Sequence, residues 1–354
     1  MRKVLSRQEV IDAVERRGCK NPPAFLHKFW GMGLQEKYGE QLNKLADLYP
    51  DDICSVFYTE PGYDVSPTQN PEYRFGFKDY RNAERHSIGE SAVLLDDWSE
   101  LDQFLAHFPN PSEPGNFDVV QEAAKKADGR YKLGCFWRLF HERFWSVRGM
   151  ENLMYDYYDE MDNLKLIGKR LVEFYKVIID KFAAAGFDGI FTSDDLGHQH
   201  GPMMSPEIFR ELYFPLYQEI IGYTHERGMH FWLHSCGDNT LLMDDLIEAG
   251  LDVFHPVQKG CMDGQETVRR FGGRITFLAG IDVQYLKRNG SENKKRQECF
   301  WLWGTALCRI PLLKISKLPW IQFLRRAEKG GGSAALTVPC NSSAFGRTVT
   351  GPAF

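Results

Sequence analysis

A chain of 354 residues, 43% apolar and 26% charged, can bury a sizeable core and has the balance of a globular protein, not a disordered or fibrous one. A net charge of −5 lends nothing to nucleic-acid binding, and no run of about eighteen apolar residues offers a membrane span. Eight cysteines at wide, irregular spacing with no export signal argue against a disulfide framework, so the expected compartment is the cytoplasm.

The N-terminal "MRKVLSRQEVIDAVERRG" reads as an amphipathic helix. From about 60 to 130 the chain is rich in Pro, Gly and Tyr ("EPGYDVSPTQNPEYRFGFKDY"), expected as a loop or hairpin over the mouth of the fold. Within it, "LDDWSELDQFLAHFPNP" and "DVVQEAAKKADGRY" are helical. After 130 the pattern alternates. "YKLGCFWRL" is strand-like, and a long helix follows with Leu164, Ile167, Leu171, Phe174 and Ile178 on one face, closed by Gly186. "DGIFTSDD" is the next strand. Ser205-Pro206-Glu207 opens a helix that carries Pro215 as a kink. Strand "MHFWLHSCG", helix "NTLLMDDLIEAG", strand "LDVFHPVQ", helix "GQETVRRFGG" and strand "RITFLAGID" complete the series.

Strands alternating with helices through short connections imply a parallel sheet. Successive strands end in Asp194 and Asp195, in His234 and Cys236, in His255 and Gln258, and in Asp282. A (β/α)8 TIM barrel collects function at such strand ends. No Gly-x-Gly-x-x-Gly turn supports a dinucleotide site. The expectation is a single-domain barrel over residues 1–286.

Residues 287–354 differ: they hold 12 Lys and Arg against 3 Asp and Glu, leaving 31 against 45 in residues 1–286. The tail reads as a lineage-specific extension, a divergent last repeat, or a change of reading frame soon after Asp282. The charge switch, the lack of any aspartate after 282 and the three cysteines in the tail favour the frame change, which would leave the barrel incomplete.

His234 and Cys236 are spaced to point to one face, and both residue types suit zinc. The alternative is a strand-end histidine beside an inert thiol. Asp194 and Asp195 could bind a cationic substrate, hold a metal or accept hydrogen bonds from the next helix. His198 and His200 in "GHQHG" read as surface residues, and His255 as a core residue or one standing behind a ligand.

Taken together, "FTSDDLGHQHGPMMSPEIFRELYFP", "HFWLHSCGDNTLLMDDLIEAGLDVFHPVQ", "FLAGIDVQ" and "CFWRLFHERFWSVRGMENLM" resemble the uroporphyrinogen decarboxylase superfamily. They look most like its zinc-dependent corrinoid methyltransferases. The resemblance covers about residues 130–286 well and 1–60 loosely. It implies the barrel, zinc on His234, Cys236 and, from "GGGSAALTVPCNSSA", Cys340. It also implies methyl transfer between a corrinoid protein and a small thiol or methylated substrate. Asp194, Asp195 and Asp282 would be catalytic, with Gln199, His255 and Gln258 as substrate contacts. The corrinoid would come on a carrier protein, since no Asp-x-His-x-x-Gly is present. The decarboxylase branch, a carboxy-lyase of porphyrin biosynthesis, grips its substrate with an arginine-rich N-terminal string. Here that region reads "PPAFLHKFWGMG", with Lys28 alone basic. A non-catalytic member is the third reading.

Overall fold

The computed structural model describes residues 3–25, 34–58, 60, 73–76, 93–126 and 128–279. The strands are β1 (Ile53–Phe57), β2 (Tyr131–Cys135), β3 (Gly189–Ser193), β4 (Gly197–His198), β5 (Gly201–Pro202), β6 (His230–His234), β7 (Val253–His255) and β8 (Thr276–Phe277). Six of them form one sheet in the order β1-β2-β3-β6-β7-β8, every pair parallel, and β4 and β5 make a separate antiparallel hairpin. Each sheet strand lies beside the next in the chain, with no reversal of order. A doubly wound sheet would reverse at a switch point. Unbroken winding in one direction is that of the (β/α)8 barrel, the fold expected from the sequence.

Side-chain alternation divides the core accordingly. Tyr131, Leu133 and Cys135 of β2, Phe191 of β3, Trp232 of β6 and Val253 of β7 fall in one buried cluster. Their strand neighbours Ile190, Phe231, Leu233 and Phe254 fall in the other, against the helices. This is the inside and outside of a barrel wall, produced by the period of two along each strand. The outer cluster takes in Leu164, Ile167, Leu171, Phe174 and Ile178 of helix Met161–Ala184, the stripe read from the sequence. Gly186, at φ +72°, ends that helix in the left-handed conformation glycine favours.

Helix Arg7–Val14, started by a capping box between Ser6 and Glu9, packs on the inner cluster. It lies where the strands begin. Leu5 donates its amide to Asp52 Oδ1 at 2.8 Å, just before β1, and Arg7 pairs with Asp188, just before β3, at 2.5 Å. Thr276, at the start of β8, donates to the Val14 carbonyl at 2.9 Å. The N-terminal helix therefore covers the strand starts, the end of the barrel opposite His234.

Two local expectations are corrected. The strand read over "YKLGCFWRL" stops at Cys135, and three residues on Arg138 adopts φ +63°, a conformation that rules out a strand reaching Leu139. The helix begun by Ser205 and Pro206 does not continue as one α-helix to a kink at Pro215. It passes through a π-turn, Phe209–Tyr213, and resumes at Phe214–Glu226. Pro215 has no N–H for the Glu211 carbonyl, and the wider turn absorbs that loss. Much of the expected mouth loop (61–72, 77–92), together with Asp282, Cys340 and the whole basic tail, lies outside the described residues.

Candidate metal centre at the strand ends

His234 is the last residue of β6, and Cys236 follows it in the connecting turn. Their side chains meet: Cys236 Sγ is 3.3 Å from His234 Nε2. Asp195, two residues beyond β3, closes the group, with Oδ1 3.5 Å from His234 Nε2 and accepting the Cys236 amide at 2.8 Å. One donor atom from each of the three lies within 4.8 Å of the others. All three are half-buried.

The spacing suits a metal. Zinc–ligand bonds of about 2.0–2.3 Å at tetrahedral angles put ligand atoms roughly 3.3–3.8 Å apart. The 3.3 and 3.5 Å separations fall in that range before any ion is considered. The donor set, a thiol, an imidazole and a carboxylate, is also a combination zinc accepts.

The turn that carries Cys236 is held from several sides. Gln258 Oε1 accepts the Gly237 amide at 2.7 Å, and Asn239 Nδ2 donates to the Cys236 carbonyl at 3.0 Å. Asp238 donates its amide to the His198 carbonyl of the β4–β5 hairpin at 2.7 Å. Gly237 sits at φ +83°, and a Cβ there would lie 2.3 Å from the Gly197 carbonyl carbon and oxygen. Only glycine lets these two backbones approach so closely.

The two adjacent aspartates separate. Asp194 is fully buried. Its Oδ2 accepts from Tyr217 (2.6 Å) and from the amides of Phe140 and His141 (3.1 and 3.0 Å), and its Oδ1 from the Glu142 amide (2.8 Å). It anchors the start of helix His141–Arg148 and is not at a pocket surface. Burial pushes its carboxyl up to about 6, against the lowering by the Tyr217 hydroxyl and the three amides. Of the pair, Asp195 is the one beside His234 and Cys236.

His255, at the end of β7, is 2% exposed, and its Nδ1 is 2.7 Å from His234 Nδ1. Gln258 holds the turn that carries Cys236 through its contact with Gly237. Gln199 and His200 are exposed between β4 and β5, and His198, which ends β4, is exposed as well.

Sequence reasoning missed Glu142 and Trp137. Glu142 Oε2 accepts the Ser193 hydroxyl at 2.6 Å. Burial raises its carboxyl well above the ordinary range, Asp195 and Asp194 add to that, and Ser193 and Arg138 oppose it. The Trp137 ring stands edge-on to His234, centroids 6.3 Å apart. Both follow the C-terminal end of β2, and that position, once β2 is ended at Cys135, is the signal that would have found them.

Residues 139–299 match the uroporphyrinogen decarboxylase family. The match covers 161 of the 354 residues. The matched segment contains all three donors of the cluster, together with His255 and Gln258. A methyltransferase from Methanosarcina mazei superposes with a TM-score of 0.54 at 15% identity, over 81% of this chain and 88% of its own, a likeness of fold. No curated protein sequence matches the chain.

Proposed function

We propose that the chain is a zinc-dependent methyltransferase, moving a methyl group between a corrinoid carried on a partner protein and a small thiol or methylated substrate. The supporting observation is the Asp195–His234–Cys236 cluster at the strand ends of a barrel whose residues 139–299 match the uroporphyrinogen decarboxylase family. Zinc bound there would hold a substrate thiol as the more nucleophilic thiolate. Cys236 and Asp195 would bring two negative charges to balance the dication, and His234 a neutral nitrogen. Asp195 also ties the metal loop to β3 through the Cys236 amide. Cys340 remains a proposed further ligand. Trp137 walls the site, and Glu142 with Ser193 offers hydrogen bonds beside it.

The test is elemental analysis of purified full-length protein and its Cys236→Ser variant, followed by methyl transfer from methylcobalamin to a thiol. Near one zinc per chain in the wild type, with a marked fall in the variant, is expected. Absence of zinc from both after growth with added metal would overturn the reading. Decarboxylation would then be the activity to assay.

A further inference from the structure

Between β6 and β7, in register at His234 and His255, two imidazoles face each other. Their Nδ1 atoms are 2.7 Å apart, the rings are tilted by 36° and the centroids lie 4.9 Å apart. At that distance two lone pairs, or two N–H groups, would repel. One ring donates and the other accepts.

The other nitrogen of His234 decides the direction. Its Nε2 is the atom beside Cys236 Sγ and Asp195 Oδ1. A neutral imidazole has one proton, so Nε2 can offer a lone pair to a cation only when that proton is on Nδ1. His255 Nδ1 must then be the acceptor. In water the neutral ring favours the opposite form, with the proton on Nε2, so a neighbour is needed to reverse the preference. His255 is set for this task. It is almost wholly buried, its carbonyl accepts the Ser235 amide at 2.7 Å, and the Phe191 ring packs edge-on against it at 6.0 Å. Trp137 fixes His234 from another side.

We propose that His255 is a positioning residue: it holds His234 in the Nδ1–H tautomer, so that Nε2 presents its lone pair to a divalent metal ion. The metal's part in this rests on the zinc reading above. The tautomer itself can be read without metal.

The experiment uses full-length protein labelled with 15N-histidine, stripped of metal, at a pH above the range of histidine protonation. Long-range 1H–15N spectra report the tautomer of His234, assigned by difference from a His234→Gln variant. The wild type should show Nδ1–H. His255→Phe, which has no acceptor, should show Nε2–H. His255→Gln, whose amide oxygen can accept, should restore Nδ1–H. Zinc affinity, by competition with a chelator, should fall by about 10–100-fold in His255→Phe and largely return in His255→Gln. Nε2–H in the wild type, or unchanged zinc affinity in His255→Phe, would overturn the proposal. If the phenylalanine variant does not fold, His255→Gln still decides, because Nε2–H in that variant contradicts the acceptor role. Wild-type protein that shows the expected tautomers but takes up no zinc would sink the zinc reading and leave the tautomer assignment standing.

Discussion

His141 shows how burial sets the chemistry of one residue. Its ring is enclosed, with Nδ1 3.0 and 3.1 Å from the hydroxyls of Tyr157 and Tyr213. Burial lowers its pKa from the usual value near 6.5 to about 3. Between those values the unfolded chain binds a proton that the folded chain refuses. The stability His141 contributes is therefore full above about 6.5 and is lost as pH falls toward about 3, at up to roughly 1.4 kcal/mol per pH unit. His141→Gln keeps a polar contact with the tyrosines and removes the titration. Denaturant unfolding between pH 6.5 and 4.5 should show the wild type losing stability faster with acid than this variant. Asp194 and Glu142, both raised, contribute the opposite slope, but they are common to both proteins and cancel in the difference. The histidine was visible in "FHERF", yet nothing local distinguishes it from a surface residue. Tyr157 and Tyr213, 16 and 72 positions away, make its environment.

At the scale of elements, the Cys236–Gly237 turn and the β4–β5 hairpin form one unit. Gly237→Ala should strain the backbone and drive a methyl group into the Gly197 carbonyl. Gly228→Ala is the control: it shares a positive φ, +70°, but its Cβ would meet nothing within 4 Å. The control should lose about 1–2 kcal/mol from conformation alone. The Gly237 variant should lose about 1–3 kcal/mol more from overpacking and bind zinc more weakly, because Cys236 precedes it. Equal losses in urea unfolding would show that the close approach contributes nothing. The sequence made this pairing only half legible. His234 and Cys236 share a face by their spacing, and their meeting follows from the strand. Nothing in "GHQHG" says that its backbone supports "CGD", because that contact joins loops after different strands.

Across the whole molecule, Phe191 links the barrel floor to the site. Inside the inner cluster its ring contacts Phe25, Trp137, Trp232 and His255, with centroids 5.7 to 6.5 Å apart. Removing it leaves a cavity between strands that cannot collapse independently. Phe191→Ala should cost about 3–5 kcal/mol in chemical unfolding and reduce zinc uptake through His255 and Trp137. A loss below about 1 kcal/mol would mean that the interior repacks freely.

Periodicity and strand–helix alternation determined the barrel class and the polar strand ends, because those signals depend on neighbours in the chain. They also marked His234 and Cys236, two residues apart. Only the tertiary structure decided between Asp194 and Asp195. Adjacent strand-end residues point to opposite sides, and which side is buried depends on the helix at His141 packing against Asp194. It likewise decided that His255 faces His234, a contact between neighbouring strands whose register no local pattern records.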